Sequence, residues 1–189
     1  ARLLQQLKRG HVAITRLEQA VQQHPNNQRL RLQYARILMV DNIEQAKKQF
    51  NILLQSSPNN ADLLLSLALV NKEIGDFAAA EDRLKQLITT GKRTTEAYYY
   101  LGQIAEQQQQ LEQAIEYYKK ISPGTDFLAA TNRIIELYQQ LGQIETSQDY
   151  LLSLRQKYPE HAIRIYLLES KIFFKVQRQF YLRELLVKF

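Results

Sequence analysis

Small residues recur along this chain at a long, nearly constant interval. Ala13, Ala46, Ala80, Ala114 and Ser147 each sit inside an apolar stretch, at spacings of 33, 34, 34 and 33. Four residues after each stands a larger apolar side chain: Leu17, Phe50, Leu84, Tyr118 and Leu151. Three further on stand Ala20, Leu53, Leu87, Ile121 and Leu154, and five beyond those come Pro25, Pro58 and Pro159 in three of the units. An internal period of this length marks supersecondary units that bury their apolar faces only by stacking, which predicts a solenoid.

Each unit holds two helical stretches. In the third, Tyr98, Leu101 and Ala105 fall at i, i+3 and i+7, one face of a helix. The glutamines Gln107 to Gln110 follow, and Leu111, Ala114, Ile115 and Tyr118 restart the same periodicity. The spacing predicts helix pairs at about 28–40 with 43–56, 60–74 with 77–90, 95–108 with 111–122, 127–141 with 144–157 and 160–176 with 179–189, after a fragment at 1–8 and a helix at 11–23. The turns agree. Gly75 and Gly142 suit a left-handed helix end. Asn27 and Asn60, each following a proline, suit helix caps, as does Thr94 or Thr95 after Gly91.

The pattern resembles the tetratricopeptide repeat, whose signature combines Leu-Gly, Ala, Phe and Pro at this period. Tyr98, Leu101-Gly102, Ala114 and Tyr118 carry the resemblance in one unit. Leu67-Ala68, Gly75, Phe77, Ala80 and Leu84 carry it in another. It departs at the short turn near Arg9-Gly10, at Lys92 where a proline is usual, and at Pro123-Gly124, which ends a helix early. The resemblance implies an all-α, right-handed α-solenoid of antiparallel helix hairpins. The chain forms one domain of about five and a half repeats, near 1–27, 28–60, 61–94, 95–127, 128–161 and 162–189. Ala1 and Phe189 both fall inside helices of this register, so a longer array is expected. Gly102 is the small residue that lets the helices of its hairpin approach.

The resemblance also implies a function. In that family the first helix of each pair lines a concave groove that holds a peptide or partner protein. The corresponding positions here give Arg36 on the first full unit, Leu65 and Leu69 on the second, and Tyr99, Tyr100 and Gln103 on the third. Asn132, Arg133 and Glu136 follow on the fourth, and Tyr166 on the fifth. Tyr and Arg are the side chains that most often dominate interface energy. The plainer alternative is that Leu65 or Tyr100 fills a seam between hairpins. The subclass that clamps a terminal carboxylate needs several basic residues, whereas Leu32, Arg36, Ser66, Glu96 and Tyr100 supply only one. The stretches Tyr99–Glu106, Tyr117-Tyr118, Pro123-Gly124 with Arg133, and Tyr158-Pro159 with Tyr166-Leu167 are similar to bacterial outer-membrane repeat lipoproteins. That similarity implies an adaptor, in some members for a periplasmic processing protease, on the periplasmic face of the outer membrane.

Composition narrows the chemistry. With no cysteine there is no disulfide framework or thiolate zinc site. His11, His24 and His161 lie far apart in repeat order, which argues against a metal centre. Gly91-Lys92 lacks the second glycine and the strand of a phosphate loop. Glu81-Asp82 sits beside Arg83 and Lys85 as surface charge. The expectation is a non-enzymatic protein without cofactor, metal or membrane span. The net charge of +6 is concentrated: residues 1–36 hold seven basic side chains and only one acidic, Glu18. That end offers an alternative, binding of an acidic partner or nucleic acid. Nucleic acid is disfavoured because Tyr34 is the sole aromatic there. Self-association through the ends of the array is the remaining alternative.

Overall fold

A computed structural model describes residues 2–170, with side chains from Gly10 onward. The expected helix at 179–189 and the end of the one before it lie outside the described residues. Among the described residues all regular structure is helical. The chain divides into two compact units, Ala1–Ile104 and Ala105–Phe189.

The first unit begins with α1 (Arg2–Gln23), a single helix. The expected break near Arg9-Gly10 is therefore absent. A glycine inside a helix costs only about 1 kcal/mol relative to alanine, too little to end a helix that continues on both sides. Helices α2 (Gln28–Asp41), α3 (Ile43–Ser56), α4 (Ala61–Glu73) and α5 (Phe77–Thr89) follow, each packed on the one before. The unit boundary falls within α6 (Thr94–Gln107).

Local chemistry starts and stops these helices. Asn27 Oδ1 accepts from the Leu30 amide, Asn42 from Gln45, Asn60 from Asp62 and Leu63, and Asp76 from Ala79. Each satisfies amides that a helix start leaves unpaired. Gly75 takes φ 80° after α4, so that the Asp76 amide donates back to the Asn71 carbonyl at 2.9 Å. Thr94 and Thr95 both lie inside α6, so neither caps it. The residue before them, Arg93, has φ 53°.

The repeat columns form the core. Ala46, Ala80 and Ala114 are fully buried, as are Phe50, Leu84, Tyr118 and Leu151 one turn later. Small residues in the first column let the paired helices approach, and the larger ones fill the space beside them.

The second unit runs from the last turn of α6 through α7 (Leu111–Lys119), α8 (Phe127–Gln140) and α9 (Ile144–Lys157). A 3₁₀ turn at Pro159–His161 leads into helix over 162–170. Helix α7 stops three residues short of the sequence expectation, ahead of Pro123-Gly124. Phe127, Ile135, Leu151, Leu154 and Ile165 form one cluster of its core, flanked by Leu128, Tyr150 and Tyr158. The turn after α6 uses the geometry seen at Gly75. Gln109 takes φ 61°, and the Gln110 amide donates to the Ala105 carbonyl at 2.8 Å. Gly142, with φ 72°, does the same after α8.

Candidate functional site

The faces of the first helices carry the residues that the sequence singles out. On α2, Arg36 is exposed together with Arg29 and Gln33, while Leu32 and Met39 are half-buried. On α4, Leu69 and Ser66 are half-buried, whereas Leu65 is only 6% exposed and belongs to the core of the first unit. On α6, Tyr99, Tyr100 and Gln103 are half-buried, and the two rings meet edge to face at 6.0 Å. Among the residues singled out on α4 and α6, the apolar surface left to solvent thus comes from Leu69, Tyr99 and Tyr100, and less from Leu65.

An arginine ties the starts of α4 and α6 together. Arg93 Nη1 donates to Asp62 Oδ1 at 2.6 Å, and its Nε donates to Glu96 Oε1 at 3.1 Å. The bond to Glu96 pushes the guanidinium further above its ordinary value, so the charge stays fixed. Arg31 is spent in the same sense. It donates to Gln49 Oε1 at 2.6 Å and to the Pro25 carbonyl at 2.8 Å, beside a cleft lined by Glu18, Gln22 and Tyr34.

In the second unit Arg133 sits between two carboxylates. It donates through Nε and Nη2 to Glu106 and through Nη1 to Glu136. The Tyr118 hydroxyl donates to Glu106 at 2.6 Å, and Asn132 Nδ2 donates to Glu136 at 3.0 Å. The hydrogen bond to Glu106 is the main reason the Arg133 guanidinium is pushed up, with burial opposing it. So Asn132, Arg133 and Glu136, chosen from sequence as groove residues, form one closed network with Glu106 and Tyr118. Tyr166 is 57% exposed, but the Arg155 guanidinium lies over its ring at 4.3 Å and pairs with Glu169. Beside it Ile163 and Leu167 are also exposed.

Sequence reasoning missed the Arg93 tie and the closed state of Arg133. The signal for the second was present: Glu106 lies in the last turn of one first helix and Arg133 in the middle of the next. Nothing in the local sequence marks Arg93. It follows Gly91 in a turn, and its partner Asp62 stands a full repeat away.

Comparison with known proteins supplies the remaining facts. Residues 72–125 and 133–161 match the tetratricopeptide-repeat family. A TPR repeat-containing protein of Pseudomonas aeruginosa, PA4667, is 34% identical over 172 residues, 90% of this chain. The chain spans 29% of the length of that relative. A crystal structure of MamA superposes with a TM-score of 0.67 at 22% identity, covering 88% of this chain and 94% of that one. MamA from Desulfovibrio magneticus RS-1 superposes with a TM-score of 0.64 at 20% identity, covering 90% and 93%. At these identities the likeness shows the fold, the all-α class of tetratricopeptide-repeat solenoids.

Proposed function

The chain belongs to the tetratricopeptide-repeat family; from that premise we propose that it is a protein-interaction scaffold that docks a partner protein or peptide against its first helices, as a non-enzymatic adaptor in a larger bacterial complex. The observation that carries the docking face is the partly exposed apolar set Leu69, Tyr99 and Tyr100 on α4 and α6. Large apolar and aromatic groups left partly open beside polar neighbours suit a recognition surface. Arg133, Asn132 and Glu136 act in this reading as a support that holds its helix face in shape. The bacterial setting is supported by similarity to the Pseudomonas protein over 90% of this chain. The resemblance to repeat lipoproteins adds the periplasmic face of the outer membrane, with a processing protease complex as the setting.

Site-specific photo-crosslinking in the native host tests the docking face. A photoreactive residue at Leu69 or Tyr100 should yield adducts with a partner protein, and one at Lys48 or Gln113 on the second helices should not. Adducts from the second-helix positions alone would reject the reading.

A further inference from the structure

Helix α2 differs in chemistry from α4, α6 and α8. Arg29, Gln33, Arg36 and Val40 stand at i, i+4, i+7 and i+11, one line along the helix, and all four are exposed. Val40 is 96% exposed. Among the described residues neither Arg29 nor Arg36 has an ion pair or hydrogen bond through its side chain. Four other arginines are held within the chain. Arg93 and Arg133 are each held by two carboxylates, Arg155 by Glu169, and Arg31 by Gln49 and a backbone carbonyl. Of the acidic groups nearest in sequence, Glu18 is hydrogen-bonded to the buried Tyr34, and among the described residues no acidic side chain pairs with either arginine. The strong basic excess of residues 1–36 therefore has no internal answer at this stripe.

We infer that the α2 stripe binds an acidic segment of the partner protein, with two carboxylates seated on Arg29 and Arg36 and an apolar side chain resting on Val40. Two turns of helix place the arginines roughly 10 Å apart along the axis. A helical partner segment lying along α2 repeats that spacing, with acidic residues two turns apart and an apolar one a turn further on. Arginine suits the task because its planar fork meets a carboxylate through two parallel hydrogen bonds. Binding to a single-stranded nucleic acid would want an aromatic platform for the bases. The aromatic side chain of α2, Tyr34, is 6% exposed and offers none. This assignment deepens the docking reading and rests on the first helices being the docking face.

The test uses the whole chain and a fluorescently labelled helical peptide carrying two glutamates two turns apart and a leucine one turn beyond. Anisotropy should report binding that weakens about tenfold or more in Arg29→Glu and in Arg36→Glu. Arg36→Gln should give a smaller loss, and Arg16→Glu, exposed on α1, should bind as the parent does. Replacing the peptide glutamates with lysines should restore binding to the Arg29→Glu/Arg36→Glu double variant. The inference is overturned if the peptide does not bind, or if both charge reversals bind it as well as the parent. It is equally overturned if single-stranded DNA of matched charge binds more tightly and displaces the peptide. In each of those cases, crosslinks from Leu69 and Tyr100 would still stand or fall by themselves, which separates this failure from failure of the docking face.

Discussion

At the turn between α2 and α3, Asn42 Oδ1 accepts the Gln45 amide; at the corresponding turn between α8 and α9, Gln143 makes no such bond. The contrast holds along the chain. Asn27, Asn42, Asn60 and Asp76 cap helices of the first unit, whereas Gln110, Asp126 and Gln143 leave α7, α8 and α9 without a side-chain cap. The second unit relies on ties across sequence alone: Arg133 to Glu106, Tyr118 to Glu106, Arg155 to Glu169, and the Phe127, Tyr138, Tyr150 and Tyr158 rings. The first unit has such ties too, Arg93 to Asp62 and Lys47 to Asp76, in addition to its caps. The same repeat can therefore be closed with side-chain caps at its turns or without them, by its side-chain network. The two solutions differ in how many residues one substitution disturbs. A lost cap frays one end, while a lost tie leaves several partners unsatisfied.

The largest expected effect follows from that difference. Arg133→Ala leaves Glu106, whose side chain is 14% exposed, with a carboxylate that has lost its cation. Stranding a partly buried polar group costs on the order of 2 kcal/mol. Arg93→Ala also removes an arginine from between two carboxylates, but Asp62 is 73% exposed and water replaces the contact. That loss should stay below about 1 kcal/mol. Urea denaturation of the two variants measures both, and equal costs would abolish the distinction between the units. Arg133→Ala should also weaken partner docking only in proportion to lost folding, because its guanidinium is closed upon the chain itself.

Moving the first unit's devices into the second comes next. Gln109 holds φ 61°, a left-handed conformation that disfavours every side chain and that Gly75 and Gly142 adopt at the matching turns. Gln109→Gly should raise stability by about 0.5–1 kcal/mol, after allowing for the greater freedom glycine has when unfolded. Gln110→Asp should add about 1 kcal/mol by capping α7 as Asp76 caps α5. The reverse change, Asn42→Gln, should remove a similar amount from the first unit. Thermal melts that show no gain from either change would mean that the ties of the second unit already hold its turns in place.

These turns also show how far the residues alone could be read. The period, the small-residue column from Ala46 to Ser147 and the helix pairs were legible because they rest on local periodicity and burial. Gly75, Gly142, Asn27 and Asn60 were legible because each residue type has one strong conformational preference. Gln109 was not, since nothing in four glutamines says which one turns left-handed. The site was less legible than the fold. Leu65, Tyr99 and Arg133 share one register, with Leu69 a turn after Leu65, yet neighbours decide their exposure. Leu65 is buried in the core, and Arg133 is drawn onto Glu106, whereas Leu69 and Tyr99 stay partly open. Register places a side chain on a face; only packing decides whether it remains available there.

Two groups, one in each unit, should also answer pH from opposite sides. Burial pushes the Tyr150 hydroxyl well above its ordinary value of 10.0, with Tyr138 adding to the shift and a hydrogen bond to Thr131 opposing it. A raised value means the fold favours the protonated phenol. Its contribution is complete below about pH 10 and is lost as pH rises further. Tyr150→Phe should therefore flatten the alkaline fall in stability, at the cost of the Thr131 contact. An alkaline fall unchanged by that substitution would place its origin elsewhere, among the more exposed tyrosines.

The smallest effect belongs to the first unit and to Asp76, a group open to solvent on one side. Its carboxyl is held below its ordinary value of 3.8, first by the hydrogen bond from Lys47 at 2.9 Å and then by the Ala79 amide. A lowered value means that the fold favours the ionised form, so the contribution is present above about pH 4 and fades as pH falls through the shifted value. Asp76→Asn separates the two partners. Asparagine caps a helix about as well as aspartate, so the Ala79 bond survives, while the ion pair with Lys47 does not. The variant should be slightly less stable than the parent at neutral pH, and the gap should close as the solution is taken below pH 4. A gap that keeps its size in acid would mean that Asp76 acts through its cap alone. The first unit would then be held at this turn by hydrogen bonds, with no charge involved.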